Sequence, residues 1–286
     1  AGFGVGSHGT EVWEWRGRRE KSSGISEEAF PDAVRRLVNP RRPVVYFLTG
    51  HGEKSLKGDY GAVGRRLEEE GRVPRELLLQ KEGGVPEDAA CLVAAGPKTP
   101  YSAREVEILE TYIRGGGRLF LLLDPFQDGG FTDFLGRLGI SLRDDAVVDP
   151  GGKIFGGDLL FPMAVEYPSH PVSRGIDGVC IFPVARSLPV QQPADPRIET
   201  RIVARTSPDA WAETDRPSLA AGRPVFDPAA DGKGPVVLAA SAEILAEYPD
   251  RDGAVLAVGD SDFAANTYVS AARNMSFFLD SLAWLI

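Results

Sequence analysis

The chain has 286 residues, of which 43% are hydrophobic and 26% charged, and it carries a formal net charge of −9. That length and balance suit one large α/β domain or two modest ones with a sizeable buried core. An acidic chain repels phosphate backbones, so nucleic acid is set aside as a partner, and an anionic membrane surface matches the average surface poorly.

Residues 1–40 read as an N-terminal arm or the remnant of a preceding domain. "GTEVWEWRG" sets Val12, Glu14 and Arg16 against Trp13 and Trp15, which predicts a strand. "SEEAFPDAVRRLV" places Phe30, Val34, Leu37 and Val38 on one helical face, with Pro31 in its first turn or kinking it. From residue 43, strands and helices alternate. "PVVYFL" is a continuous apolar run, suited to a strand covered on both faces. "SLKGDYGAVGRRLEEEG" spaces Leu56, Tyr60, Val63 and Leu67 helically and stops at Gly71. "RELLLQ" and "ACLVAAG" are the second and third predicted strands. "SAREVEILETYIRGGG" is the clearest helix: Ser102 and Glu105 form a capping box, and Val106, Leu109, Tyr112 and Ile113 make the inner stripe. "RLFLLLD" is a fourth strand, "FTDFLGRLG" a short helix and "DAVVD" a candidate fifth strand. Alternation at this spacing predicts an α/β domain over 41–286 with a doubly wound, mostly parallel sheet, whose ligands sit beyond the carboxyl ends of the strands.

Between about 150 and 232, prolines are frequent and helical periodicity is absent. This stretch reads as a β-rich insertion, with an antiparallel strand at "RIETRIVART". The α/β pattern returns at "GPVVLAASAE" and "GAVLAVGDSDF" and closes with a helix carrying Met275, Phe278, Leu279, Leu282 and Ile286. No signal peptide or membrane-spanning run is visible; the apolar "MSFFLDSLAWLI" is too short and carries Asp280. The look of both ends suggests a soluble fragment of a longer protein. Cys91 and Cys180 lie in apolar runs, where cysteine behaves as a small hydrophobe; a bond between them stays open.

Chemistry-bearing residues collect at predicted strand ends. "TGHGE" puts His51 and Glu53 just past the first strand, where a base or ligand belongs; equally, Gly50 and Gly52 permit a sharp turn with His51 as a cap. Asp124 follows the fourth strand, and Asp260 and Asp262 follow "AVLAV". Grouped carboxylates can bind a divalent cation or sugar hydroxyls, or each can cap its own turn. No metal and no cofactor is expected, since nothing fixes a ligand geometry. Gly58, Gly61 and Gly64 lie inside the predicted helix, not at a strand-to-helix turn, so they do not make a dinucleotide fingerprint; they let the helix approach the sheet. No G-x-S-x-G is present, neither cysteine sits at an elbow, and His8 and His170 have no triad partner in the pattern. Trp211, in "ARTSPDAWAETD", is a candidate stacking residue or a pin for the insertion.

Taken in order, "VYFLTGHGE", "LVAAGPKTPYSAREVEILETYIRGGGRLFLLLDP", "SHPV", "TSPDAWAETD" and "AVGDSDFAAN" resemble the auxiliary, substrate-binding-like proteins of certain bacterial ABC transport systems, including the gliding-motility-associated component. The resemblance implies a fold similar to class I glutamine amidotransferases and to the N-terminal domain of an intraflagellar transport protein. It also implies a missing nucleophile, an ABC permease and ATPase as partners, and anchoring at the extracytoplasmic face of the bacterial membrane by segments outside this chain. It supplies no catalytic residues. The positions it makes conspicuous are His51, Gly52, Glu53, Asp124, Asp260, Asp262 and Asn266, and Asp280 departs from the asparagine more usual there. The expectation is a non-enzymatic accessory domain acting through protein contacts or ligand recognition. Its alternatives are a carbohydrate or other small-ligand module, and a cryptic hydrolase using His51, Glu53 and Asp124.

Overall fold

A computed structural model of the chain describes residues 2–5, 10–15, 18–23, 42–155, 158–245 and 251–286. Strands Gly2–Val5, Thr10–Trp15 and Arg18–Ser23 pair into an antiparallel sheet, so the strand expected at "GTEVWEWRG" forms. The helix expected over 26–38, and His8, lie outside the described residues.

The central sheet has seven strands: β1 (Val44–Leu48), β2 (Val73–Leu77), β3 (Ala89–Ala95), β4 (Arg118–Leu122), β5 (Ile198–Arg205), β6 (Val237–Ile244) and β7 (Gly253–Val258). Their order is β5-β6-β7-β4-β3-β1-β2. Strands β2, β1, β3, β4 and β7 run parallel, and β6 and β5 extend the sheet antiparallel. Among the described residues, the helices that flank it include α1 (Gly61–Glu69), α2 (Ala103–Arg114), α3 (Thr132–Arg137) and α4 (Asn274–Leu285).

Alternation along each strand feeds two cores. Val45, Phe47, Cys91, Val93, Phe120, Leu122, Leu256 and Val258 pack with residues of α1 and α4. Tyr46, Leu48, Leu92, Ala94, Leu119, Leu121, Val255 and Ala257 pack with residues of α2 and α3 on the other face. Because both faces are covered, the strands are apolar throughout, as the sequence suggests. Each such large side chain contributes roughly 1.5–3 kcal/mol of burial. The α/β, mainly parallel, doubly wound class is therefore the one the chain adopts.

Some boundaries differ. The second strand is Val73–Leu77, not "RELLLQ"; Leu79–Glu82 coil into a helical turn that buries Leu79 and leaves Leu78 exposed. Pro74 lies on this edge strand, where its missing N–H costs no ladder bond and blunts the edge. Helix α1 starts only at Gly61, so Gly58 sits in the preceding turn. The nearest atoms a Cβ would meet are those of Leu56, Arg65 and Asn266 at Gly61 and of Leu56 at Gly64, not the sheet, which corrects the close-approach reading of these glycines. "DAVVD" forms Ala146–Val148, but in a small antiparallel sheet with Trp211–Glu213 and Gly232–Lys233. In the β-rich stretch, β5 is the expected antiparallel strand and forms one edge of the central sheet. Cys91 and Cys180 are free, buried thiols, and burial pushes them up to about 12 and about 11 respectively. No helix among the described residues is long and apolar enough to cross a membrane.

Candidate functional site at the carboxyl edge of the sheet

The order β2-β1-β3-β4 reverses direction between β1 and β3, the point in open α/β sheets where ligands settle beyond the strand ends. "TGHGE" leaves β1 at this point. Gly50 and Gly52 have φ of 120° and 81°, so the chain turns as only glycine does readily. Inside the turn, the His51 N–H donates to Glu53 Oε2 at 2.8 Å, and the His51 carbonyl accepts from the Lys98 and Thr99 N–H groups at 2.8 and 3.1 Å.

The His51 ring is buried. It stacks on Tyr101, with centroids 4.1 Å apart, and its Nε2 lies 2.9 Å from Glu105 Oε1. Glu105 is the capping-box residue of α2: its other oxygen accepts from the Ser102 N–H and Oγ at 2.9 and 2.7 Å. Burial raises the Glu105 carboxyl, but hydrogen bonds from Ser102 and His51 outweigh it and hold the group below its ordinary range. The Tyr101 hydroxyl donates to Glu53. His51 and Glu53 therefore tie the turn after β1 to the first turn of α2, through Glu105 and Tyr101.

The three aspartates do converge. Asp124, Asp260 and Asp262 each place a carboxylate oxygen within 4.8 Å of the others, as the strand-end pattern suggests. Adjacent β4 and β7 bring them together. Between them sits Lys54, which sequence reasoning passed over. Its Nζ lies 3.2 Å from Asp262 Oδ1 and 3.6 Å from Asp124 Oδ2, and it donates to Ser261 Oγ at 2.6 Å. Burial lowers the Lys54 ammonium, but Asp124 and then Asp262 overcome that and raise it, so it stays charged. Ser261 donates its N–H and Oγ to Asp124 at 2.7 Å. Asp260 is fully buried and accepts from the Asp262 and Phe263 N–H groups at 2.6 and 3.0 Å. Burial, followed by the Asp124 charge, pushes its carboxyl well above the ordinary range. These donors could hold a hard divalent ion by type, but the Lys54 ammonium already engages two of the three, Asp124 and Asp262, and competes for their oxygens.

Other candidates separate from this cluster. Asn266 accepts from the Ala62 N–H and donates to the Gly58 carbonyl, at 2.8 and 2.9 Å, stapling the turn before α1. Trp211 belongs to the small sheet, donates to Glu213 at 3.2 Å and packs edge-on to Phe226. These contacts tie its indole into that sheet. In "SHPV", His170 Nδ1 accepts from the Val172 N–H, so Nε2 carries the proton and donates to Ser241 Oγ at 3.1 Å. A Ser–His pair in that tautomer cannot take the serine proton. Burial, with help from Arg201, lowers His170 to about 4.

The chain matches, over residues 42–281, a family of auxiliary proteins described as an ABC-type uncharacterized transport system. It belongs to that family. As an ABC-transport auxiliary protein it shares its fold with solved structures of low identity. The N-terminal domain of mmIFT52 superposes with a TM-score of 0.64 at 16% identity, covering 84% of this chain and 96% of that one. A ThuA-like protein from Bacteroides uniformis gives 0.50 at 12% identity, covering 86% and 93%. At these identities the likeness speaks for the fold alone. No curated protein matches the chain.

In this auxiliary protein the residues missed from sequence are Lys54, Gly96, Tyr101 and Ser261, and Glu105 was read as a capping residue alone. Lys54 is one step past Glu53, and Ser261 lies between two aspartates already singled out. Their shared signal was a place in the turn that leaves a buried strand. Gly96, at φ 66°, ends β3, and a Cβ there would collide with Ser261 Oγ and come within 2.8 Å of Asp124 Oδ2.

Proposed function

We propose that this domain is a non-catalytic accessory component of its ABC transport system, acting through contacts made at the carboxyl rim of the sheet. Family membership supplies the transport system. The observation that carries the non-catalytic reading is that each ionisable group the strands deliver to the rim is committed to an internal partner. His51 is held by Glu105, Glu53 by Tyr101, and Asp124 by Ser261 and Lys54. Ser261 is fully buried, and its neighbouring Lys54 is held charged, so that lysine is not a base for it. The partners are the permease and ATPase subunits, and the domain works on the extracytoplasmic face, anchored by segments outside this chain.

The test is purification of the full-length protein from membranes in detergent. Permease and ATPase subunits recovered in fixed ratio are expected, with no turnover on ester, amide or glycoside substrates. Recovery of the protein alone, or turnover abolished by Ser261→Ala, contradicts the reading.

A further inference from the structure

Strand β5 is one lateral edge of the central sheet, and part of its outer side is open. The Leu245 N–H donates to the Arg197 carbonyl at 2.8 Å, which continues the β5–β6 register by one pair. Antiparallel ladders alternate, so Glu199 and Arg201 turn their backbone groups toward β6, while Ile198, Thr200 and Ile202 turn theirs outward. The Ile198 N–H donates to the Asp195 carbonyl at 3.1 Å; the outward N–H and carbonyl groups of Thr200 and Ile202 have no partner among the described residues. Past the irregular register at 202–205, the edge closes, because Arg205 exchanges backbone bonds with Glu166 at 2.9 and 3.2 Å. The open stretch is therefore 198–202, "IETRI". Turned about Thr200, it matches itself: isoleucine falls on isoleucine, and glutamate falls on arginine.

We propose that β5 pairs antiparallel with β5 of a second copy of this chain, about a two-fold axis at Thr200, so that two seven-stranded sheets join into one. This goes beyond the accessory reading and does not depend on it. The contact is isologous, as a two-fold dimer requires. Outward residues then oppose outward residues, Thr200 opposite its own copy and Ile198 opposite Ile202. Glu199 opposes Arg201 of the second copy at the non-hydrogen-bonded positions, where side chains come closest. Both side chains are exposed, 55% for Glu199 and 42% for Arg201. Within one chain, Arg201 Nε and Nη2 both donate to Glu199 Oε1, at 2.8 and 2.6 Å. Glu199 Oε2 and Arg201 Nη1 make no hydrogen bond among the described residues, and they are the atoms left for the second copy. Charge also selects the register. Moving the axis by one residue still opposes outward groups, but it sets Glu199 against Glu199 or Arg201 against Arg201, which is unfavourable.

So short an edge buries less area than a permanent dimer does, so a Kd of roughly 1–100 µM is expected. The experiment is sedimentation equilibrium on the whole chain, with melting temperatures measured beside it. Glu199→Arg and Arg201→Glu each set like charges opposite one another across the two-fold. Each alone should weaken self-association roughly tenfold or more. Each should melt near the wild type, because both side chains are exposed. Mixed in equal amounts, the two variants oppose arginine to glutamate at both positions, and dimer should return to within about threefold of the wild-type Kd. The pair within each chain stays broken in that mixture, so only contact between chains gives the rescue. Thr200→Pro removes an outward N–H and no bond to β6, and it should also dissociate the dimer. A wild-type chain that stays monomeric at about 300 µM overturns the proposal. So does a single variant, Thr200→Pro included, that self-associates as the wild type does, or a mixture that gains no dimer.

Discussion

An ammonium held 3.2 Å from Asp262 and 3.6 Å from Asp124 competes with any divalent ion for the same oxygens. Millimolar Mg²⁺ or Ca²⁺ is therefore expected to leave the melting temperature of the wild-type protein unchanged; a saturable rise measured by calorimetry would show that a metal does bind. Removing the cation leaves three close carboxylates without their counter-ion. Lys54→Met should cost roughly 1–3 kcal/mol in urea denaturation, less than for a fully dry pair because Asp262 is 42% exposed. His170 makes a separate claim. Its folded value of about 4 lies below the ordinary histidine range, so the unfolded chain binds the proton first. Its contribution is complete above the unfolded value and is lost as pH falls through the folded one. Wild type and His170→Gln should thus converge in stability on acidification below about pH 6. Parallel profiles would contradict a neutral, buried imidazole.

At the level of elements, the capping box of α2 does two jobs, starting the helix and holding His51. Ser102→Ala removes the hydroxyl that bonds Glu105 and should cost about 1 kcal/mol, measured by denaturant midpoint. Gly96→Ala should cost more, roughly 2 kcal/mol or above, because the left-handed backbone and the approach of Ser261 and Asp124 both resist a methyl group. A substitution without effect would mean the β3 end and the aspartate cluster are not packed together. The capping box and the apolar runs of β1, β3, β4 and β7 were legible in sequence because their signals are local. The second strand was misplaced because "RELLLQ" holds more leucines than Val73–Leu77, while parallel pairing to β1 selects the earlier segment. Lys54 was illegible as a partner of Asp262 for a different reason: their contact spans more than two hundred residues and depends on β7 lying beside β4 and β3 beside β1.

Across the molecule, β1 begins on the amino edge of the sheet. Helix α4 ends there too, where Arg251, just before β7, donates to the carbonyls of Leu285 and Ile286. The rim carrying Lys54, the aspartates, Phe126 and Val184 is the opposite edge. Trp211, expected from sequence as a candidate ligand contact, belongs to the small sheet, since its indole serves Glu213 and Phe226. What remains at the rim is a set of polar groups bonded within the chain and two apolar residues, Phe126 and Val184, with left-handed backbone, the surface that the proposed accessory role would use. Hydrogen–deuterium exchange on the full-length protein, with and without the permease–ATPase complex proposed as its partner, tests this most directly. Protection confined to segments 124–130 and 182–187 and the turns after β1 and β7 is predicted; protection only along the amino edge, with the rim exchanging as in the free protein, would contradict it.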